Sequence, residues 1–287
     1  MNSSGITTIV PTYFESGLPL ERFVKCLTSL DAQLVKPDIV IITDDSKDET
    51  LRNQYLRVLM DFSLNFSCIR NNEKRGMGSN SNNGLANVKT EYVHILHSDD
   101  LLNSNTAYQV MLETIKTNNQ RWVFAAGEIG GKIVIPALDD LLLVGQNSLG
   151  GPSGLFSKSE IYLRYDPNLK MMVDVEHYFR MIQSFGPPCI IEEPLISYGV
   201  GNWQVQRGIS DGDVRREIQY LLSKSNTYLE HIKRADKSKL DPLFQIRLQK
   251  DLRTIREQGS IRTLVTISIL GVKRLLASFV RKLRGTK

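Results

Sequence analysis

Cysteine is scarce in this 287-residue chain. Cys26, Cys68 and Cys189 are odd in number, widely spaced and never in a Cys-x-x-Cys pair. A disulfide framework is therefore excluded, and a reducing compartment is expected. The start of the chain has no basic stretch followed by a long apolar run, and Pro11 and Glu15 interrupt it early, so no cleaved signal peptide is expected. Internal repeats and low-complexity segments are also missing. With 41% hydrophobic and 23% charged residues the composition is that of an ordinary globular protein, long enough for one large domain plus an appendage or for two modest domains.

Acid is what the last quarter has little of. Residues 213–287 hold 18 Lys/Arg against 7 Asp/Glu, which leaves 18 basic and 24 acidic side chains in 1–212. The overall +5 thus divides into a mildly acidic working region, 1–212, and a basic, helix-forming region, 213–287. After Glu257 there are seven Lys/Arg and no acid at all. On a helix from about Ile261, Val265, Ile269, Val272, Leu276, Phe279 and Leu283 share one face, while Lys273, Arg281 and Arg284 line the other. Gly271, Lys273 and Arg274 interrupt this run too early for a membrane span. The pattern predicts a helix lying on an anionic bilayer, each basic group contributing about 1 kcal/mol near the surface. The competing reading is a helix that packs on the rest of the protein and shows a solvated basic face. Nucleic acid is not expected, because there is no recognised binding motif and aromatics are not interleaved with the basic residues.

Along 1–212, short β-rich runs alternate with helical periodicity. "ITTIV", "DIVIIT", "FSCIR" and "EYVHIL" read as strands. "LERFVKCLTSL", "DETLRNQYLRVLM" and the segment through "NNGLANV" read as helices. This alternation predicts β-α-β units and a largely parallel sheet flanked by helices, hence an α/β fold. "RWVFAAGEI" and "GKIVI" around Gly130-Gly131 predict a hairpin. "SLGGPSG" is a loop, residues 172–185 a helix, and "PCII" and "PLISYG" two further short strands.

Polar segments follow three of these strands: "IVPTYFES", "ITDDSKDET" and "HILHSDD". In parallel sheets ligands bind beyond the carboxyl ends of the strands, which is where these segments fall. Adjacent Asp99 and Asp100 repel each other and resist desolvation, so a cation or a hydroxyl must stabilise them. Taken alone, such carboxylates are as well explained by helix capping, and so are Asp44 and Asp45.

Read in order, these segments resemble the family 2 glycosyltransferases of the GT-A fold, whose matching stretches run approximately "PTYN-E", "DDGS-D" and "D-x-DD". "GMGSNSNNGL" is similar to that family's glycine-containing loop, and "YDPNLKMMVDVEHYFRM" to its later segment with a catalytic acid. The resemblance covers roughly residues 5–205. It implies a GT-A fold with a C-terminal helical extension and a nucleotide-diphosphate sugar as donor. It places Pro11, Tyr13, Glu15, Asp45 and Asp99 around the nucleotide sugar, and Asp99 and Asp100 on a divalent metal, Mn2+ or Mg2+. Asp174 is the implied general base for an inverting displacement, with Glu176 as the other candidate.

The acceptor implied is a saccharide or a lipid-linked precursor at the cytoplasmic membrane face. Two alternatives stay open: a non-catalytic nucleotide-sugar-binding module, and a sugar nucleotidyltransferase, for which a Gly-rich basic loop after the first strand is missing. The chain departs from the family pattern at His97, which stands where the first acid of "D-x-DD" falls. Phe14 replaces the usual Asn, the Gly of "DDGS" is missing, and no "QxxRW" follows, which argues against a processive synthase. His94, His97 and His177 also fit ordinary structural histidines. Arg75 suits solvent as well as a phosphate, and Trp203 and Gln206 lie where an acceptor-side flap is expected.

Overall fold

Aliphatic and β-branched runs without polar alternation form strands buried on both faces. Ile6–Thr12 (β1) is buried throughout, and Ile39–Asp44 (β2) along all but its first residue. Phe66–Arg70 (β3) and Tyr92–Ile95 (β4) complete the parallel part: β1 pairs with β2 and β4, and β2 with β3. This computed structural model describes residues 3–71, 76–138 and 147–204, with 217, 220, 221, 224, 225, 227, 228 and 230 beyond them.

Helices connect these strands as their periodicity requires. Leu20–Asp31 (α1) buries Phe23, Cys26, Leu27 and Leu30, one face of a 3.6-residue repeat. Glu49–Arg57 (α2) starts at Asp48, whose carboxylate accepts the N–H groups of Thr50 and Leu51. It is shorter than expected, because Val58–Asp61 tightens into a 3-10 turn that still buries Leu59. Met77–Leu85 (α3) precedes β4.

Beyond β4 the sheet turns mixed. Leu101–Leu102 (β5), the helix Ala107–Thr117 (α4), Trp122–Ile129 (β6), Lys132–Val134 (β7) and Leu155–Lys158 (β8) follow. Val173–Phe185 (α5) and Cys189–Ser197 (β9) come last. The strand order is β3-β2-β1-β4-β8-β6-β9-β5, with β7 paired to β6. β8 is antiparallel to both β4 and β6, whereas β9 runs parallel to β6.

The expected hairpin is β6–β7, its turn made by Gly130 and Gly131 at φ 56° and 80°, a conformation that glycine adopts without strain. Two strands expected at "PCII" and "PLISYG" are one. Register shifts opposite Ala125, Ala126 and Gly127 carry β9 across Pro194 as an irregular ladder, so the proline bends the strand without ending it. The helix α4 and the strand β8 had no counterpart in the sequence reading.

The chain divides into two compact units, the first made of Met1–Ala137, Leu149–Pro167 and Arg180–Arg207, the second of Leu138–Ser148, Asn168–Phe179 and Gly208–Lys287. The first unit holds the sheet. Its core includes Ile6, Val10, Phe23, Leu27, Val40 and Tyr55. Phe14 belongs to this core too, stacked on Tyr55 at 4.3 Å between centroids, so the residue that departs from the family's Asn is there for packing. The boundary expected at 212/213, the helix from Ile261, Arg75 and Gln206 lie outside the described residues. Among the described residues no helix is long and apolar enough to cross a membrane.

Candidate active site

Parallel pairing sets Thr12 opposite Asp44, and Leu96 N donates to Ile9 O, so β1, β2 and β4 all end at one edge of the first unit. The three polar segments emerge there together. Pro11 is buried in β1, and Tyr13, just past it, is 45% exposed. Glu15 accepts the N–H groups of Lys47 at 2.9 Å and Asp48 at 3.2 Å, which clasps the loop after β2 to the loop after β1.

The two aspartates at the end of β2 divide their work. Asp44 is buried and accepts from Thr12 Oγ1 (3.1 Å), Ser46 N (3.0 Å) and Ser46 Oγ (2.7 Å), and pairs with Arg52 Nε at 2.9 Å. Asp45, also buried, accepts from Asn71 Nδ2 at 2.6 Å and from Gly76 N at 2.8 Å. Ser46 Oγ in turn accepts the N–H of Phe14 at 2.9 Å. Phe14, a departure from the family pattern, is thus tied by its backbone to the loop after β2.

Beyond β4 the chain turns through His97, Ser98, Asp99 and Asp100, with Asp100 N donating to His97 O. Asp100 is 4% exposed, and both its oxygens are engaged: Oδ2 accepts from Ser153 Oγ at 2.5 Å and Oδ1 from Gly199 N at 2.7 Å. Burial, and after it the Asp99 charge, push Asp100 up to about 8, although Ser153 and Gly199 oppose them. Asp99 is half-buried; its Oδ2 accepts from Trp203 Nε1 at 2.8 Å and its backbone oxygen from Arg22 Nε at 2.6 Å. Gly199 passes so close that a Cβ there would lie 2.5 Å from Asp99 O and 2.7 Å from Asp99 Oδ2. Only glycine fits against the acid at this point.

Ser153, fully buried just ahead of β8, joins the parts of this turn. Its hydroxyl donates to Asp100 and accepts from His97 N at 3.0 Å, and its carbonyl faces His94 Nε2 at 2.8 Å. His94 Nε2 must donate to that carbonyl, so Nδ1 accepts from Tyr108 Oη at 3.0 Å, and Tyr108 in turn accepts from Thr8 Oγ1 at 2.6 Å. Burial holds His94 neutral, with its titration lowered from 6.5 to about 4. His94 is thus a structural histidine, as its sequence context allowed.

His97, Asp99 and Asp100 each offer a ligand atom, all within 4.8 Å of one another. These residues fit a divalent cation. Among the described residues, His97 Nε2 is buried with no hydrogen-bond partner and Asp99 Oδ1 takes no hydrogen bond. A cation would also relieve the pressure that pushes Asp100 up. Two carboxylates and an imidazole suit Mn2+, and the oxygens alone suit Mg2+.

Asp174 belongs to the second unit, in the first turn of α5, and is half-buried. Glu176, two residues on, is fully buried, accepts from Tyr228 Oη at 2.7 Å and lies 3.5 Å from Lys224 Nζ. The next residue, His177, is fully buried as well.

A mixed sheet with flanking helices, with an acidic, cation-suited turn after its fourth strand, is the arrangement of the GT-A fold. Residues 7–131 match the model of Glycosyl transferase family 2. No curated protein sequence matches the chain. Among solved structures, S. aureus TarS 1-349 in complex with UDP-GlcNAc is similar over 84% of this chain and 69% of that one, at 16% identity and a TM-score of 0.57. Against a longer TarS chain the match spans 41% of that chain, with a TM-score of 0.55. The mannosyltransferase PcManGT from Pyrobaculum calidifontis, in complex with GDP-Man and Mn2+, is similar over 98% of this chain and 88% of that one, at 13% identity and a TM-score of 0.56. At such identities the likeness establishes the fold.

Proposed function

We propose that this chain transfers a single sugar, with inversion, from a nucleotide-diphosphate sugar to an acceptor hydroxyl. The observation that carries the reading is the cluster of His97, Asp99 and Asp100 at the edge where Asp45, Pro11 and Tyr13 also emerge. Tyr13 offers an exposed ring to the nucleoside, while Asp45 and Asp99 accept from its base or ribose. A divalent cation held by Asp99 and Asp100, with His97 beside them, would supply charge neutralisation for the departing diphosphate.

Asp174 takes the acceptor proton as that oxygen bonds to the anomeric carbon, and the diphosphate leaves with the electron pair of the broken bond. Its partial exposure supports it over Glu176, whose carboxylate is buried and committed to Tyr228. The UDP-GlcNAc and GDP-Man complexes of the similar structures support a nucleotide sugar as donor. The basic region 213–287 supports work at an anionic membrane surface on a glycan or lipid-linked acceptor.

The test is thermal stabilisation by a panel of nucleotide sugars, with and without Mn2+. Mn2+-dependent stabilisation by at least one donor, lost on Asp99→Ala, is the expected result. Stabilisation by none would end the proposal. Asp174→Asn is expected to abolish transfer while nucleotide affinity stays within about threefold; a large loss of binding would show that Asp174 is not the base.

A further inference from the structure

Backbone N–H groups ahead of a helix need acceptors, and those before α5 find one far along the chain. Lys170 N donates to Glu217 Oε1 at 2.6 Å and Met172 N to Oε2 at 2.9 Å, while Met171 N lies 3.2 Å and 3.1 Å from the two oxygens. Glu217 is buried, so three consecutive amides converge on one desolvated carboxylate through charge-assisted bonds. A second tie follows Asp174, where Glu176 accepts from Tyr228 Oη.

Both ties come from one segment. Glu217, Tyr220, Leu221 and Lys224 are helical, and their spacing puts them on a single face. Leu221 and Tyr228 are buried, the Tyr228 ring lies 5.3 Å from that of Phe179, and Asn168 Nδ2 donates to Tyr220 Oη at 3.1 Å. All of this lies within the second unit. Asp174 therefore stands between two fixed points, one two to four residues before it and one two residues after.

We infer that Glu217 is a positioning residue for Asp174: its carboxylate fixes the 170–172 backbone from which the base projects. The inference rests on the reading of Asp174 as general base. A general base acts only when held within hydrogen-bond reach of the proton it takes, and a displacement of ~1 Å can cost ~100-fold in rate. Glu217 keeps the turn in place without touching the reacting atoms. The residues before α5 hold Asp174, and a residue more than 40 positions later holds those residues.

The test compares full-length Glu217→Ala, Glu217→Gln and Asp174→Asn with the wild type. Amide hydrogen exchange is read across 168–176, and steady-state nucleoside diphosphate release is measured with the donor that gives the largest Mn2+-dependent stabilisation. Glu217→Ala is expected to speed exchange at Lys170–Met172 by at least ~10-fold and leave β1 to β4 unaffected. It should lower kcat by at least ~10-fold while donor KM stays within ~2-fold. Glu217→Gln keeps one carbonyl acceptor and should restore part of kcat; it also carries the comparison if the alanine variant does not fold. Unchanged exchange overturns the inference. So does faster exchange with unchanged kcat in an enzyme that Asp174→Asn silences. If Asp174→Asn leaves turnover intact, the base assignment itself is wrong and Glu217 loses its role with it.

Discussion

At the scale of single residues, the side chains that hold the acids matter as much as the acids. Ser153→Ala leaves Asp100 Oδ2 and the His97 N–H without their partner in a buried place, at an expected cost of about 1–3 kcal/mol by urea denaturation. His94 gives a separate test. Its folded value, about 4, lies below the 6.5 of the free side chain, so on acidification the unfolded chain takes up the proton first. The stability His94 confers is complete above about pH 6.5 and is lost as pH falls toward 4, on the order of 3 kcal/mol in all. His94→Gln should flatten the difference in unfolding free energy between pH 6.5 and 4; an unchanged slope would mean that His94 is not held neutral. Asp45, Asp99 and Asp100 stood out in the sequence because each lies just beyond the end of a strand. Ser153, Arg22 and Gly199 were not, since each reaches the Asp99–Asp100 turn from more than 50 positions away and no local pattern marks it.

At the scale of elements, the parallel half of the sheet was readable because strands buried on both faces are written as unbroken aliphatic runs. The antiparallel half was not. β8 is four residues whose only cue is its partners, and β9 crosses Pro194, a residue that argues locally against a strand. The segment after β9 is short, yet Gly199 N and Trp203 Nε1 reach Asp100 and Asp99. Gly199→Ala would drive a methyl group into Asp99, which predicts a loss of about 1–3 kcal/mol and weaker Mn2+-dependent stabilisation by the preferred donor. Measuring both on one preparation separates a fold defect from a site defect.

At the scale of the whole molecule, charge divides the chain more sharply than hydrophobicity does. Removing residues 261–287 is expected to release the protein from vesicles of anionic lipid while its melting temperature changes by no more than ~3 °C, checked by co-sedimentation and by scanning fluorimetry. Undiminished co-sedimentation would assign membrane binding elsewhere. The placement of Glu217, inside the basic region as counted by charge but tied to the turn before Asp174, shows why composition is a poor guide to where a working unit ends.

The partners of Asp100 also impose an order on biosynthesis. A ribosome that has released only the first 131 residues has delivered every carboxylate of the Asp45–Asp100 edge, but neither Ser153 nor Gly199. The emerging chain then carries Asp99 and Asp100 without the hydroxyl and the amide that Asp100 accepts from in the folded protein. A truncated product ending there should fail to bind donor, and supplying the remainder in trans is the way to ask whether the late strands alone complete it.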